Sequence, residues 1–276
     1  MHAGKSLDRD PGGPAHVSVH GVPPPRHTVM RVMLITGASR GIGAATARVA
    51  AAAGWDVAVN YRSERDGAEQ LVSSLASESG RHVVAVRADV SSEGDVLAMF
   101  DAAESELGPV GCLVNNAGIA PGYGPFADLD LADIERVWAV NLTGAFLCAR
   151  EAVRRMSLSR GGAGGSIVNV SSKAAVIGGP GEWVHYAASK GGLETLTAGL
   201  SKEVAREGIR VNNVRPGLIA GDFGPWGPSG RVERMRDGVP MGRPGEPDEV
   251  AKAIVWLASD EAAYVTGATI DVTGGR

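Results

Sequence analysis

The sequence feature that most constrains this chain is a glycine-rich turn between an apolar segment and an alanine-rich one. Residues 31–35 are typical of a buried strand, residues 44–53 are typical of a helix, and Thr36-Gly37-Ala38-Ser39-Arg40-Gly41-Ile42-Gly43 joins them. This order predicts a strand, a tight turn and a helix. Backbone N–H groups at the start of such a helix attract anions, so a pyrophosphate is the expected ligand.

The three glycines of this turn have different expected roles. Gly37 lets the chain leave the strand at φ values that other residues avoid, Gly41 lets a phosphate approach the backbone, and Gly43 lets the helix lie close to the strand. Glycine is abundant, at 39 of 276 residues, so the triplet alone is weak evidence. Its spacing also differs from the common dinucleotide fingerprint.

Composition narrows the class of partner. A net charge of −4 and a pI near 5.9 argue against nucleic acid or an anionic membrane surface, and favour a small-molecule ligand. The two cysteines, Cys112 and Cys148, stand in apolar stretches, and we expect them to be buried with neither a disulfide nor a metal site. The sequence has no apolar run of the ~20 residues that span a bilayer and no signal-peptide core, which favours the cytoplasm.

The N-terminus differs from the rest of the chain. Residues 1–29 hold five prolines, four glycines and four of the six histidines, without a helical or strand period. We expect a disordered extension there, followed by one domain over residues 30–276. Met30 and Met33 lie just before or within the first strand, and translation could start at either.

Strand-like and helix-like segments alternate from residue 30 onward. Because the strands are apolar on both faces, they predict a doubly wound α/β domain, a seven-stranded parallel sheet with helices on both faces. The predicted strands are residues 31–35, 56–61, 82–88, 112–115, 166–170, 210–214 and 268–272. The predicted helices are residues 44–53, 64–77, 92–107, 131–156, 184–207 and 247–259, with Ser92 as a cap.

Ligands of such folds bind beyond the carboxyl ends of the strands, so the residues there are candidates for a site. Asp89-Val90 follows the third strand, and Asn115-Asn116-Ala117-Gly118 ends the fourth. Asn115 could instead satisfy loop backbone groups, as asparagines often do.

Tyr186 and Lys190 form the candidate acid–base pair. Residues four apart share a helix face, and such pairs are also common on solvated surfaces. A tyrosine with its ordinary pKa of about 10 is a poor acid–base group at neutral pH, and a neighbouring ammonium would favour the phenolate. Ser172, just after the fifth strand, could donate a hydroxyl to the same substrate oxygen, with Ser171 as the alternative.

Taken together, these motifs resemble the short-chain dehydrogenase/reductase family, and the resemblance covers residues 30–276. The glycine turn, the Asn-Asn-Ala-Gly block, Asn141, the paired serines, Tyr-x-x-x-Lys and Pro216-Gly217 occur in the family's order. The resemblance implies a single-domain Rossmann fold, with Tyr186 as acid/base, Lys190 lowering its pKa and holding the nicotinamide ribose, and Ser172 orienting substrate. It also implies that Asn141 supports a water-linked proton relay, although Asn141 could be only a helix irregularity.

The expected cofactor contacts are drawn from the strand ends, the glycine turn and the catalytic helix. They are Gly37, Ser39, Arg40, Gly41, Ile42, Gly43, Asn60, Arg62, Asp89, Val90, Asn116, Ala117, Gly118, Tyr186, Lys190, Pro216, Gly217 and Ile219.

The sequence departs from the family pattern at three places. Ser172 stands fourteen residues before Tyr186, one more than is usual in the family, so Gly178-Gly179-Pro180-Gly181 must absorb a residue. Gly221 occupies the place of a threonine that helps to hold the nicotinamide carboxamide. Arg215 replaces the asparagine that commonly precedes Pro-Gly, and the sequence does not indicate the consequence.

The second strand indicates which cofactor is used. NAD sites usually place an acid at its end, and such an acid would repel the 2′-phosphate of NADP. Here the strand ends in Val59-Asn60-Tyr61-Arg62-Ser63, with no acid until Glu64. Arg40 and Arg62 could flank the phosphate, or both could be solvated surface residues. We expect NADP(H), with NAD(H) as an alternative.

The expected function is hydride transfer between NADP(H) and a secondary alcohol or ketone, without a metal. The resemblance is nearest to the glucose or polyol dehydrogenase branch, and we expect residues 120–126 and 221–242, with Trp183, Phe223 and Trp226, to select the substrate. A non-catalytic nucleotide-binding regulator and a nucleotide-sugar epimerase are the alternatives.

The helix at 184–207 and residues 268–276 resemble family segments at twofold interfaces, so a homotetramer is expected.

Overall fold

The computed structural model describes residues 32–221 and 237–276. The expected N-terminal extension, Phe223 and Trp226 lie outside these ranges. Seven parallel strands form one sheet in the order β3-β2-β1-β4-β5-β6-β7. They are β1 Val32–Ile35, β2 Asp56–Tyr61, β3 Val83–Arg87, β4 Val110–Asn115, β5 Gly165–Val170, β6 Ile209–Pro216 and β7 Thr269–Val272.

Helices cover both faces of the sheet. They are α1 Gly41–Ala52, α2 Arg65–Ser79, α3 Glu93–Leu107, α4 Leu131–Trp138, α5 Ala145–Met156, α6 Ala174–Ile177, α7 Val184–Glu203 and α8 Pro247–Ala258. Short 3₁₀ turns follow at Phe126–Asp128, Leu158–Arg160, Ala205–Glu207 and Asp260–Ala262.

The core has two layers because successive strand residues point to opposite faces. Met33 and Ile35 of β1 lie in one buried cluster with residues of α1, α2 and α8. Val32 and Leu34 lie in the other, with residues of α3 and α5. Both faces of β1 are therefore buried, as expected for a parallel strand between helical layers. The predicted doubly wound α/β fold is confirmed.

Differences from the predicted elements are local. Helix α1 begins at Gly41 rather than Ala44, β4 begins at Val110, and α7 ends at Glu203 before a 3₁₀ turn. The helix predicted over 131–156 is divided by a π-helical segment at Ala139–Gly144, and α6 was not predicted. Ser92 caps α3 as expected, since its hydroxyl accepts from the Asp95 N–H at 3.3 Å.

The cysteines and the helix lengths bear on two expectations drawn from the sequence. Cys112 and Cys148 are buried free thiols, and burial raises their pKa to about 11 and about 12. No helix within residues 32–221 or 237–276 is long and apolar enough to span a membrane.

Candidate active site

The glycine turn has the geometry that its sequence predicts. Gly37 leaves β1 at φ +61°, and Gly41 opens α1 at φ +55°, both in the region that favours glycine. A Cβ on Gly37 would lie 2.9 Å from the Cα of Ala117, and one on Gly43 would lie 2.6 Å from the carbonyl oxygen of Gly37. The turn is therefore packed tightly against both α1 and the segment after β4.

Asparagine side chains hold the turn in place. The Asn60 Oδ1 accepts from the Gly37 N–H at 3.0 Å, and its amide lies within 3.2 Å of the carbonyls of Val86 and Ala88. The amide of Asn116 donates to the carbonyls of Thr36 and Gly37, each at 2.9 Å. Both residues were predicted as cofactor contacts, and the structure shows that their side chains bind the backbone that forms the turn.

The front of the turn is open to a cleft of about 400 Å³ at the carboxyl edge of the sheet. A Cβ on Gly41 would have no atom of the described residues within 4 Å, apart from its chain neighbours and its own helix backbone. Helix α1, described over its full length, has no acid in its first turn, and Arg40 makes no side-chain cap there. Its first N–H groups and the bare Gly41 backbone therefore fit a pyrophosphate, so the residues present suit a dinucleotide.

The cleft brings together nearly all of the predicted site residues. Those lining it are Gly37, Ser39, Arg40, Gly41, Ile42, Asn60, Arg62, Asp89, Val90, Asn116, Ala117, Gly118, Ser172, Tyr186, Lys190, Pro216, Gly217 and Ile219. Of the predicted site residues, Gly43 and Asn141 do not line the cleft.

Arg62 forms an ion pair with Asp89 at the mouth of the cleft. Its guanidinium lies 3.6 Å from the carboxylate of Asp89, and both side chains are substantially exposed. Partial burial alone would raise the pKa of Asp89, but hydrogen bonds from Ser91 and the charge of Arg62 lower it. A 2′-phosphate would therefore compete with a weak ion pair for Arg62. Arg40 is exposed in the glycine turn.

Tyr186 and Lys190 are buried at the inner end of the cleft. The Lys190 Nζ lies 5.8 Å from the ring centroid of Tyr186 and donates to the Val170 carbonyl at 2.8 Å. Lys190 is 3 % exposed, and burial lowers its pKa to about 8. A Cβ on Gly118 would lie 3.4 Å from the Nζ, so the absence of a side chain at Gly118 leaves this ammonium room.

The paired serines separate into two environments. The Ser171 hydroxyl is buried and donates to Glu194 at 2.7 Å, while that of Ser172 is half-buried in the cleft and accepts from the Ala174 N–H at 3.2 Å. A hydroxyl that accepts still has its own proton to donate. Of the two hydroxyls, that of Ser172 is therefore the one with a proton left to donate into the cleft.

Asn141 lies in the π-helical segment, so it is both a helix irregularity and a neighbour of the site. Its Oδ1 accepts from the Ile119 N–H at 2.8 Å, and its amide donates to the Ile119 carbonyl at 2.9 Å. Its Oδ1 would also lie 3.6 Å from a Cβ on Gly118, on which Lys190 converges as well. Single π-turns inside helices often occur at functional sites.

The departures from the family pattern have structural counterparts. After α6, where the sequence predicts that an extra residue is absorbed, Gly178, Gly179 and Gly181 have φ values of +80°, +58° and +70°. Gly221 has φ +135°, a value that a threonine would rarely adopt. Arg215 binds Glu194 and Asp271 through its guanidinium.

Some of the residues that line the cleft near Tyr186 were not predicted from the sequence. Trp183 was expected there, and its ring centroid lies 5.7 Å from that of Tyr186. Ile119 and Ala174 pack against the same cluster, and Arg276 lines the cleft. No signal identified Arg276, because it lies far along the chain and follows the last strand.

Comparisons with known proteins identify the family of this chain. The family model described as Enoyl-(Acyl carrier protein) reductase matches residues 37–276. An uncharacterized oxidoreductase, YgfF, of Escherichia coli is 51% identical over 90% of this chain and 100% of its own length. The 3beta-hydroxysteroid dehydrogenase 1 of Eggerthella lenta is 42% identical over 89% and 93%.

Solved structures give the same result. A blue fluorescent protein from a metagenomic library, in complex with NADPH, has a TM-score of 0.82 and 36% identity over 89% of this chain and 97% of its own. A 3-ketoacyl-(acyl-carrier-protein) reductase of Brucella melitensis, complexed with NADH, has a TM-score of 0.81 and 34% identity over 89% and 98%. The chain belongs to the short-chain dehydrogenase/reductase family and is an NAD(P)-dependent oxidoreductase that acts on CH–OH groups.

Proposed function

We propose that the protein transfers hydride reversibly between NADP(H) and a secondary alcohol or ketone, using Ser172, Tyr186 and Lys190. The observation that carries the proposal is the buried Lys190 ammonium beside the Tyr186 ring, in the cleft onto which the glycine turn opens. A cation in this position favours the phenolate of its neighbour over the phenol.

Each residue then has a defined task. The nicotinamide, when bound, supplies or accepts the hydride. The Tyr186 hydroxyl gives a proton to the substrate oxygen during reduction and takes it back during oxidation. Ser172 donates a hydrogen bond to that oxygen, and Lys190 keeps the Tyr186 pKa low and holds the ribose. Asn141 fixes the backbone at Ile119 and supports the water-linked relay next to Lys190.

We propose NADP(H) as the preferred cofactor, with Arg40 and Arg62 as the partners of the 2′-phosphate. Asn60 and Arg62 stand at the end of β2, where an NAD-specific site carries an acid, and the acids that line the cleft nearby are Glu64 and Asp89. The ion pair between Arg62 and Asp89 favours a second candidate, an enzyme that also uses NAD(H), because part of the positive charge at the mouth is already neutralised.

We propose that the substrate is an apolar, ring-containing alcohol or ketone. The cleft beside Tyr186 is lined by Trp183, Ile119 and Ala174, which pack in one cluster with Tyr186. The name of the Eggerthella relative is consistent with such a substrate. A sugar or polyol, which the sequence resemblance favoured, is the second substrate class to test. We further propose that the enzyme works in the cytoplasm as a homotetramer.

The test is turnover with NADPH and NADH on a panel of cyclic ketones, acyl ketones and sugars. We expect Tyr186→Phe to bind cofactor normally while turnover falls by about 10²–10⁴-fold, because the ring remains and the proton-transfer group is lost. Tyr264→Phe, which removes a hydroxyl from a fully exposed ring, is the matched control and should keep wild-type turnover. Turnover of Tyr186→Phe within a few-fold of wild type would refute the mechanism.

A further inference from the structure

A continuous row of ion pairs lies behind the loop that carries Ser172. The Nζ of Lys173 lies 2.9 Å from one oxygen of Asp271, and the Arg215 guanidinium lies 2.8 Å from the other. The same guanidinium grips Glu194 with two bonds, at 2.8 and 2.7 Å. We call these four residues the ion row; it joins the serine loop, β7, β6 and α7.

The ion row holds both neighbours of Ser172. On one side the Ser171 hydroxyl donates to Glu194 at 2.7 Å, and on the other the side chain of Lys173 binds Asp271. The backbone N–H groups of Ser171 and Lys173 also donate to the Val214 and Pro216 carbonyls, each at 2.8 Å. These two carbonyls flank Arg215 in β6. Each neighbour of Ser172 is therefore held by one side-chain bond and one backbone hydrogen bond.

The row also reaches the catalytic helix. Glu194 lies one turn beyond Lys190 on α7, and the Ser171 hydroxyl lies 3.3 Å from the Lys190 carbonyl. Arg215 and Glu194 are about four-fifths buried as side chains, at 17% and 18% exposure, so this pair is shielded from competing water.

Arginine suits this position because it offers several donors in a rigid planar fork. Arg215 satisfies both oxygens of Glu194 and one of Asp271 at the same time. A lysine ammonium lacks the planar fork that binds both oxygens of Glu194 in parallel, and an asparagine would bring no charge.

We propose that Arg215 is a positioning residue that fixes the Ser172 hydroxyl relative to Tyr186 and Lys190 through the ion row. The proposal rests on the proposed function of Ser172. It gives a role to the residue at which this chain departs from the family pattern. Because catalysis depends on placement to within about 1 Å, a serine loop that is free to shift loses turnover without losing cofactor binding at the distant glycine turn.

The experiment compares Arg215→Met, Arg215→Lys and Glu194→Gln with wild type. We expect Arg215→Met to lower kcat by about ten- to a hundredfold with at most a few-fold change in the Kd for NADPH, and Arg215→Lys to recover part of the loss in kcat. The Arg215→Met/Glu194→Gln double variant should lose less than the product of the two single losses, since both disrupt one row. Arg215→Lys and Glu194→Gln keep the test open if Arg215→Met does not fold.

Arg155→Met is the matched control. Its guanidinium is 21% exposed and also binds three carboxylates, those of Asp101, Glu104 and Glu151, but it joins α3 to α5. We expect this variant to lose stability and keep kcat. If kcat in the Arg215 variants falls only as much as in Arg155→Met of equal stability, the positioning role is overturned.

Hydrogen–deuterium exchange supplies a readout that does not need turnover. The amides of residues 171–174 should exchange faster in Arg215→Met, while those of residues 36–44 should not change. An unchanged exchange rate at 171–174 would refute the proposal whether or not the enzyme turns over. Absence of turnover in wild type on every substrate would instead count against the proposed function.

Discussion

At the scale of single residues, the site contains a charge that opposes folding. Lys190 is nearly inaccessible, and its burial lowers its pKa from 10.5 to about 8. The shift corresponds to about 3 kcal/mol of unfavourable free energy for the charged form in the folded protein. The hydrogen bond to the Val170 carbonyl offsets about 1 kcal/mol. The residue is therefore retained at a cost in stability, as is common in active sites.

We predict that Lys190→Met abolishes turnover and stabilises the cofactor-free protein by about 2 kcal/mol at pH 7. Between pH 8 and 10.5 the unfolded chain binds more protons at this lysine than the folded one, so the wild-type stability gains on the variant as pH rises. Urea unfolding of both proteins at pH 7 and pH 10 measures the difference.

Lys202→Met, at an exposed site on the same helix, should change stability by less than about 0.5 kcal/mol. A Lys190→Met protein that is less stable than wild type at pH 7 would show that the buried ammonium contributes net stabilisation.

Cofactor choice is also decided by single residues. We predict that Arg40→Ala lowers the ratio of kcat/KM for NADPH over NADH by about ten- to a hundredfold, because a charge-assisted hydrogen bond contributes about 1.5–3 kcal/mol. Arg62→Ala should also lower this ratio, because the Arg62 guanidinium is the second proposed partner of the phosphate. Steady-state kinetics with both cofactors measures the ratio.

Arg65→Ala is the control, because Arg65 stands near the cleft but is highly exposed and paired with Glu69. A wild-type preference for NADH, or the same ratio in both arginine variants as in wild type, would remove the phosphate assignment.

At the scale of elements, the glycine turn and α1 behave as one unit. A Cβ on Gly43 would approach the Gly37 carbonyl to 2.6 Å and the amide nitrogen of Asn116 to 2.6 Å. Alanine is ordinarily favoured over glycine in a helix by about 1 kcal/mol. Here contact with fixed backbone outweighs that preference, because a backbone oxygen cannot move without displacing the turn.

We predict that Gly43→Ala destabilises the protein and raises the Kd for NADPH, because α1 is pushed away from the turn. Gly94→Ala is the matched control: it lies in the first turn of α3 with nothing within 4 Å of its Cβ, and it should be neutral or stabilising by up to about 1 kcal/mol. Thermal unfolding and cofactor titration separate the two effects. Equal behaviour of the two variants would mean that the contact at Gly43 relaxes freely.

The elements were largely predictable because each strand is apolar on both faces and most are bounded by glycine or a polar turn. The π-helical segment was not, since Ala139–Gly144 has no period that separates it from the α-helix on either side. Its shape follows from tertiary contacts, in which Asn141 binds Ile119 and a Cβ on Gly144 would lie 2.9 Å from Val90.

In the candidate site too, contacts within one helix were predictable from the sequence and contacts between distant segments were not. Tyr186 and Lys190 were predictable as a pair because helix geometry places them on one face. The partners of Arg215 were not, because Glu194 and Asp271 are 21 and 56 residues away and come together only when β6 is flanked by α7 and β7. Local patterns identify contacts within an element, while contacts across the sheet need its strand order.

At the scale of the whole molecule, the described residues expose several large apolar side chains, and two groups of them are candidate assembly surfaces. Tyr264 is fully exposed and Trp256 is 38% exposed, both near β7, which is an edge strand of the described sheet. Trp138 and Phe146, on the α4–α5 side, are 47% and 46% exposed. Among the described residues, no exposed large apolar side chain lies on α7, and the twofold interface expected there from the sequence stays a prediction. Large exposed apolar patches mark interaction surfaces.

We predict a homotetramer with a mass about four times the 28.3 kDa of one chain, because two different self-complementary surfaces generate two kinds of twofold interface. Tyr264→Arg should leave dimers held by the α4–α5 surface, Phe146→Arg should leave dimers held by the β7 side, and the double variant should be monomeric. Light scattering coupled to gel filtration at micromolar concentration measures the masses. Leu97→Arg, at a 37% exposed leucine on α3, is the control and should remain tetrameric. A monomeric wild type, or a tetramer that survives both substitutions, would refute this assembly.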